Sequence, residues 1–318
     1  MVRTIISTLI FSLFVTRILF AQQADVNAYF PSQIQNDDWK IRLDLFASED
    51  DNSNVFTNNF IKDIRNSNYL SKDLINEQIE NIDGPAMSGS IRSIGGGITV
   101  NAQKFNYYIG FEHQHFLDSY IDEDLIKLLL TGNKPYAGKT LQVPGSIYSS
   151  MYFNQIQGGI DKSIEKGGGV HSLSGQLALN LGQNYDFVNI ENSSFYTQPD
   201  GDFLEVIVSA VTKLSDTVWA EVYEVRGYGA SAEIGYNYYK KAGFFVGIKA
   251  KNLGFISWNK NTFVASVDTS FVFEGLNTDT TSVANDELPS DYSYNNLRRL
   301  IFKNSESKPF TKRIACDP

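Results

Sequence analysis

The sequence predicts an all-β protein, an antiparallel meander that closes as an outer-membrane β-barrel, and three observations carry the prediction. Apolar and polar residues alternate with period two along most of the chain, the pattern of strands with one dry and one wet face. Turn-forming clusters separate the alternating segments. Beyond residue 21 no apolar run approaches the ~18 residues of a membrane-spanning helix, so any crossing must be made by strands.

Composition removes the competing classes. At 318 residues, 42% hydrophobic and 13% aromatic, the chain can bury a core and is not disordered as a whole. With 24 Gly, 8 Pro and no fixed period, collagenous and solenoid readings fall away. The single cysteine, Cys316, forms no intrachain disulfide and no Cys-based zinc site. A formal charge of −9 supplies no basic face for phosphates, so a nucleic-acid partner is not expected.

The elements follow in order. Residues 1–21 read as a secretory signal peptide: Arg3, an apolar stretch from Ile5 to Phe20, and the small Ala21 before Gln22 and Gln23. Arg17 interrupts that stretch, and an uncleaved anchor is the alternative. Removing Arg3 and Arg17 takes the charge from −9 to −11, which makes the exported chain more acidic. Residues 22–90 form an N-terminal segment with a first strand, Trp39 to Leu45, and a long stretch from Ala47 to Ser90 expected to pack as a plug or cap. Within it Ser71 to Asn81 has helical character.

Residues 91–275 hold the barrel strands: Ile98 to Val100, Tyr107 to Phe116, Ile147 to Gln157, Val170 to Gly182, Phe203 to Val211, Ala230 to Tyr239, Phe244 to Lys251 and Phe263 to Phe273. Turns are expected at Asn101-Ala-Gln-Lys104, Lys166-Gly-Gly-Gly169, Pro199-Asp-Gly201 and Lys240-Lys-Ala-Gly243. A second short helix spans Asp122 to Thr131, with acidic residues at its start and Gly132-Asn133 as its stop. Residues 276–318 read as an acidic loop (Asp279 to Asp291), a helix (Asn295 to Lys303) and a polar tail. Because an open sheet edge is costly in lipid and the last clear strand ends near Phe273, the barrel is expected to be incomplete at the C-terminus, a fragment or a frameshifted reading. The alternative is closure with fewer strands and an external tail.

Three motifs, Leu128-Leu-Leu-Thr-Gly-Asn133 with Tyr136-Ala-Gly138, Leu173-Ser-Gly-Gln-Leu-Ala-Leu-Asn180, and Leu253-Gly-Phe-Ile-Ser-Trp258, resemble an uncharacterised family of Bacteroidota outer-membrane barrels. That family, a domain of unknown function, is similar in architecture to long-chain fatty-acid transporter barrels. The resemblance implies a signal peptide, an outer-membrane barrel and a short helix near the first third. It implies no catalytic residues.

The residues themselves offer little chemistry. His113 and His115 share a strand face and could meet one metal, but no third ligand is evident: His171 or Glu112 could be offered, and Glu112 points to the opposite face. Gly227-Tyr-Gly-Ala-Ser-Ala232 has the form of a dinucleotide fingerprint but precedes a strand rather than a helix. Asp50-Asp-Asn-Ser-Asn54 begins like a calcium loop, yet Val55 and Ile61 replace its glycine and glutamate. With no Gly-x-Ser-x-Gly elbow and 3 His, the chain is not expected to be an enzyme. No catalytic, metal or cofactor site is assigned, and no cofactor is expected. The expected partners are outer-membrane lipid together with hydrophobic small molecules or envelope proteins. The expected function is binding or transport of small hydrophobic ligands, with a scaffold barrel of a secretion or motility assembly and an exported soluble β-sandwich as alternatives.

Overall fold

The computed structural model describes residues 40–57, 60, 71–102, 104–200, 203–216, 224–240, 243–259, 261–273 and 306–314. The expected signal peptide, the start of the first strand at Trp39, the acidic loop, the helix at 295–303 and Cys316 lie outside these residues. Eleven strands form one antiparallel sheet: β1 (Lys40–Ser53), β2 (Ala86–Ala102), β3 (Phe105–Ile121), β4 (Thr140–Lys166), β5 (Gly169–Thr197), β6 (Leu204–Leu214), β7 (Gly227–Lys240), β8 (Phe244–Trp258), β9 (Phe263–Phe273), β10 (Glu306–Ser307) and β11 (Phe310–Arg313). Among the described residues they are interrupted by the α-helices α1 (Lys72–Glu80) and α2 (Glu123–Thr131) and a 3-10 turn at Lys134–Tyr136. The expected alternating segments lie in these strands except at Trp39, outside the described residues, and Phe203, one residue before β6, and the expected helices at 71–81 and 122–131 are present.

The sheet looks forked but is a meander with aligned interruptions. The first half of β5 pairs with β7 and its second half with β6. In turn β7 pairs with β8 and β6 with β9, while β11 pairs with β8 and β10 with β9. Thus β6 and β7 act as one interrupted strand, as do β8 with β9 and β10 with β11. A single line crosses the sheet through these breaks. It passes the register shift at Tyr152/Phe153, the gap between Gly182 and Asp186 on β5, and the breaks between Leu214 and Gly227, between Trp258 and Phe263 and between Ser307 and Phe310. We call this line the corner.

From β4 onward, only β4 and β5 run through it as continuous strands. Their hairpin turns at Gly167 and Gly168, with φ of 63° and 77°, where glycine avoids the Cβ strain of left-handed backbone. On the other branch the sheet does not close among the described residues: β1 is paired only with β2.

The stretch Ala47 to Ser90 is less of a loop than the sequence suggests. β1 continues through Ser53 and β2 begins at Ala86, in register from Lys40↔Asn101 to Ser53↔Ser88. The Ser and Gly residues of early β2 conceal the strand, because little alternates there to be read. The tail likewise carries strands β10 and β11, too short for any period to show.

Helix α1 is capped by Ser71, whose side chain accepts from the Leu74 N–H, and α2 by Asp122, which accepts from the Asp124 N–H at 2.9 Å. Gly132, at φ 73°, ends α2. Leu125, Ile126 and Leu128 of α2 join Ala86, Ile121, Leu141, Val143, Phe195, Leu204 and Val206 in one apolar core, which fixes the helix on the half of the sheet far from the hairpin turns.

Candidate functional site

The hairpin half of the sheet has its faces reversed relative to a water-soluble protein. Register places Ile41, Val100, Tyr107, Ile160, Gly175 and Ile234 in one row, Leu43, Ile98, Ile109, Gly158, Leu177 and Ala232 in the next, and Leu45, Gly96, Phe111, Ile156, Leu179, Ala230 and Phe255 in a third. The large residues of these rows face outward, Leu177 at 72% and Leu45 at 81% exposure. The third row crosses six inter-strand steps, roughly 29 Å, and Leu173 to Leu181 on β5 spans eight residue steps, about 27 Å. A continuous apolar surface of that extent exceeds the few hundred Å² that soluble monomers ordinarily leave open.

The opposite face of the same strands is buried and polar. Glu112, Gln114, Gln155, Gln157, Asn180 and Ser231 are all buried, Gln155 at 2% and Asn180 at 0% exposure. Gln155 Nε2 donates to Asn180 Oδ1 at 2.8 Å, Asn252 Oδ1 at 3.0 Å and Ser231 Oγ at 3.1 Å, and its Oε1 accepts from Gln114 Nε2 at 2.6 Å. Asn252 Nδ2 then donates to Gln114 Oε1 at 2.9 Å. Gln157 Nε2 donates to Tyr108 and to Glu112 at 3.3 Å each.

The bond between Gln114 and Asn252 has a geometric consequence. β3 and β8 are four inter-strand steps apart, about 19 Å along the sheet, yet their side chains meet. The sheet therefore curls until β3 faces β8, and polar side chains fill the concavity. Asn252 reaches it from a bulge, where the β7–β8 register shifts between Ala232 and Ile234; its own φ is 57°. Bulges redirect side chains in this way.

An aromatic cluster lies beside the amides at the corner: Met151, Phe153, Tyr185, Ile256, Trp258 and Ile314, flanked by Phe116, Phe187 and Phe310. Trp258 is fully buried in a slot where Cβ atoms on Gly182 and Gly227 would stand 2.5 and 2.9 Å from its ring. Tyr108 and Trp258 face inward, and neither lies in register with an exposed residue. Tyr107 and Tyr239 are exposed, at 49% and 38%. At the same corner the buried Arg226 lies 3.0 Å from Glu224 and 3.4 Å from Asp216, and donates to Asn184 Oδ1 at 3.3 Å.

The three histidines are held by cross-strand partners. His113 Nδ1 is bonded to Asn154 at 2.8 Å, and His115 Nε2 to Ser150 at 3.1 Å while its ring stacks on Tyr152 at 3.8 Å. His171 Nδ1 is bonded to the Tyr236 hydroxyl at 2.8 Å. Since His113 faces Asn154 and His171 faces Ile164, they stand ten residues apart along β4, about 34 Å. Glu112 points into the curled sheet, away from both His113 and His115. Among the described residues no group of three metal-ligating side chains converges. Gly227 to Ala232 lies within β7, with no helix N-terminus after it.

A family profile matches residues 31–315. The chain belongs to DUF5723, a family of unknown function. No curated protein and no solved structure shows significant similarity to it. The motifs singled out in this DUF5723 member have distinct structural places. Leu128 to Asn133 ends α2 over the apolar core. Leu173 to Asn180 alternates between the exposed belt and the polar interior. In Leu253 to Trp258 the residues Ile256 and Trp258 are buried while Leu253 and Phe255 are exposed. The amide cluster could not be singled out beforehand: its members read only as wet-face Gln, Asn and Ser, and their meeting depends on register.

Proposed function

We propose that this chain is an outer-membrane β-barrel protein, exported through an N-terminal signal, that binds or passes small hydrophobic ligands and performs no catalysis. The observation that carries the membrane reading is the reversal of faces: exposed Leu and Ile outside, buried Gln and Asn inside. In water that arrangement loses burial of every belt residue, whereas in a bilayer it is the favourable one. The nine residues from Leu173 to Leu181 match the ~9–11 of a tilted membrane-crossing strand. This favours the barrel over the exported soluble sandwich. The short β2–β3, β4–β5 and β7–β8 connections favour an orientation with that end of the sheet on the periplasmic side, where such barrels keep their short turns.

The ligand class draws support from the far half of the interior face. There Met87, Tyr120 and Ile147 form one cross-strand row, and Ile91, Phe116 and Met151 another; Met87, Ile91, Tyr120 and Ile147 are exposed. An apolar wall above an aromatic cluster suits an apolar molecule better than a polar solute. A scaffold role in an envelope assembly is the second reading, favoured by an interior filled with side chains.

Membrane fractionation tests the location: a detergent-dependent, heat-modifiable band in the outer-membrane fraction is expected. Recovery in the soluble fraction refutes the barrel. Solvent extraction of the purified full-length protein then separates the roles, since a copurifying lipid supports ligand binding and a stoichiometric cross-linked protein supports the scaffold.

A further inference from the structure

We propose that the carboxamide cluster around Gln155 is a seal that closes the barrel interior to ions and small polar solutes; the proposal rests on the membrane-barrel reading above. Its position supports this. Gln155 faces Asn180, which lies between Leu179 and Leu181 of the exposed belt, so the cluster stands at belt depth rather than at a rim. The cluster also spans the cavity: Gln114 on β3, Gln155 on β4, Asn180 on β5, Ser231 on β7 and Asn252 on β8 bond directly to one another.

The cluster is the middle of three layers. On the hairpin side Gln157 binds Tyr108 and Glu112, and Tyr108 lies so close over Gly97 and Gly110 that neither could carry a Cβ without moving it. On the corner side Phe153, Ile256 and Trp258 are fully buried. A sheet curled this tightly has room inside for side chains and little else. Hydrogen bonds between uncharged amides in such a water-poor space reinforce one another, so the layer holds without any fixed charge that would draw an ion into it.

The experiment uses full-length protein reconstituted in planar bilayers and in proteoliposomes, with potassium chloride as the permeant salt. Two variants are compared with the wild type. Gln155→Ser deletes the central amide. Asn252→Gly deletes the bridge from β8 to β3 and suits the left-handed backbone at that position. Flotation of the proteoliposomes and the heat-modifiable gel band report folding and insertion for each. Wild-type bilayers at baseline current, with discrete current steps from either inserted variant, are the expected result. Steps of the same frequency and size in the wild type, or two inserted variants as silent as the wild type, overturn the seal while leaving the barrel intact. Failure of the wild type to float overturns the barrel reading, and the seal with it.

Discussion

Leu177→Arg is the substitution whose effect depends most on what surrounds the apolar belt. The side chain is 72% exposed, and its cross-strand neighbours are Gly158 and Ala232, so little protein packing is lost. In water such a change falls within about 0.5 kcal/mol. In a bilayer the cost depends on depth. Ile164, 43% exposed, faces His171 near the hairpin turn, and Leu177 stands six residues farther along β5, about 20 Å of strand. At the ~40° tilt usual for barrel strands that is about 15 Å of depth, half of a ~30 Å hydrocarbon core. With Ile164 at the boundary, Leu177 lies near the midplane, where arginine costs about 2–4 kcal/mol against about 0–1 near the interface. Urea titrations of Leu177→Arg and Ile164→Arg in lipid vesicles, followed by tryptophan fluorescence and the heat-modifiable band, measure the difference. Equal effects of the two arginines, both within about 0.5 kcal/mol of wild type, would refute the reasoning.

Trp258→Ala empties the slot at the corner and is expected to cost about 3–5 kcal/mol, read as a lower urea midpoint with an unchanged slope. Gly182→Val adds atoms where a Cβ alone would stand 2.5 Å from the Trp258 ring; an overpacking cost of about 1–3 kcal/mol is expected, and pairing it with Trp258→Ala should recover part of it. Arg226→Met leaves Asp216 and Glu224 without the cation between them, and since Arg226 is only 2% exposed a loss of about 3 kcal/mol is expected in the same titration. Glu123 is held below its ordinary value of 4.5, first by the hydrogen bond from Lys127 and then by the Gly84 N–H. Its contribution is therefore complete above that ordinary value and is lost as pH falls through the lower, folded one. With the carboxylate 35% exposed, screening keeps the effect under about 1 kcal/mol, and Glu123→Gln should flatten the acid limb of a stability-versus-pH curve by that amount.

The strands that the sequence disclosed are those where one face is consistently apolar, as in Lys40 to Leu45 or Leu173 to Leu181. The second half of β5 stayed hidden because the gap at Gln183 to Tyr185 and the register shift at Ile190/Asn192 each move the apolar set to the other parity. The middle of β2 stayed hidden because Gly95 and Gly97 give their space to Phe46 and Tyr108, neighbours that only pairing reveals. The interior was legible in composition but not in identity. Gln155 becomes central because its row brings Asn180 beside it and the bulge aims Asn252 at it, and neither fact exists before the strands are in register. The corner, which lies between strands rather than within them, leaves no periodic trace at all.

The continuity of β4 and β5 through that corner also bears on the order of assembly. Their hairpin closes on a two-residue turn and can zip residue by residue at little loop-entropy cost. Every ribbon beyond β5 is broken at the corner, so its two pieces can find alignment only against a partner already laid down. β6 and β7 need β5, β8 and β9 need them in turn, and Glu306 to Arg313 must wait for both β8 and β9. Assembly on this side of the sheet is thus templated outward from one hairpin, and a lesion at Gly167 or Gly168 should delay every later step, while one at Phe310 should delay only the last.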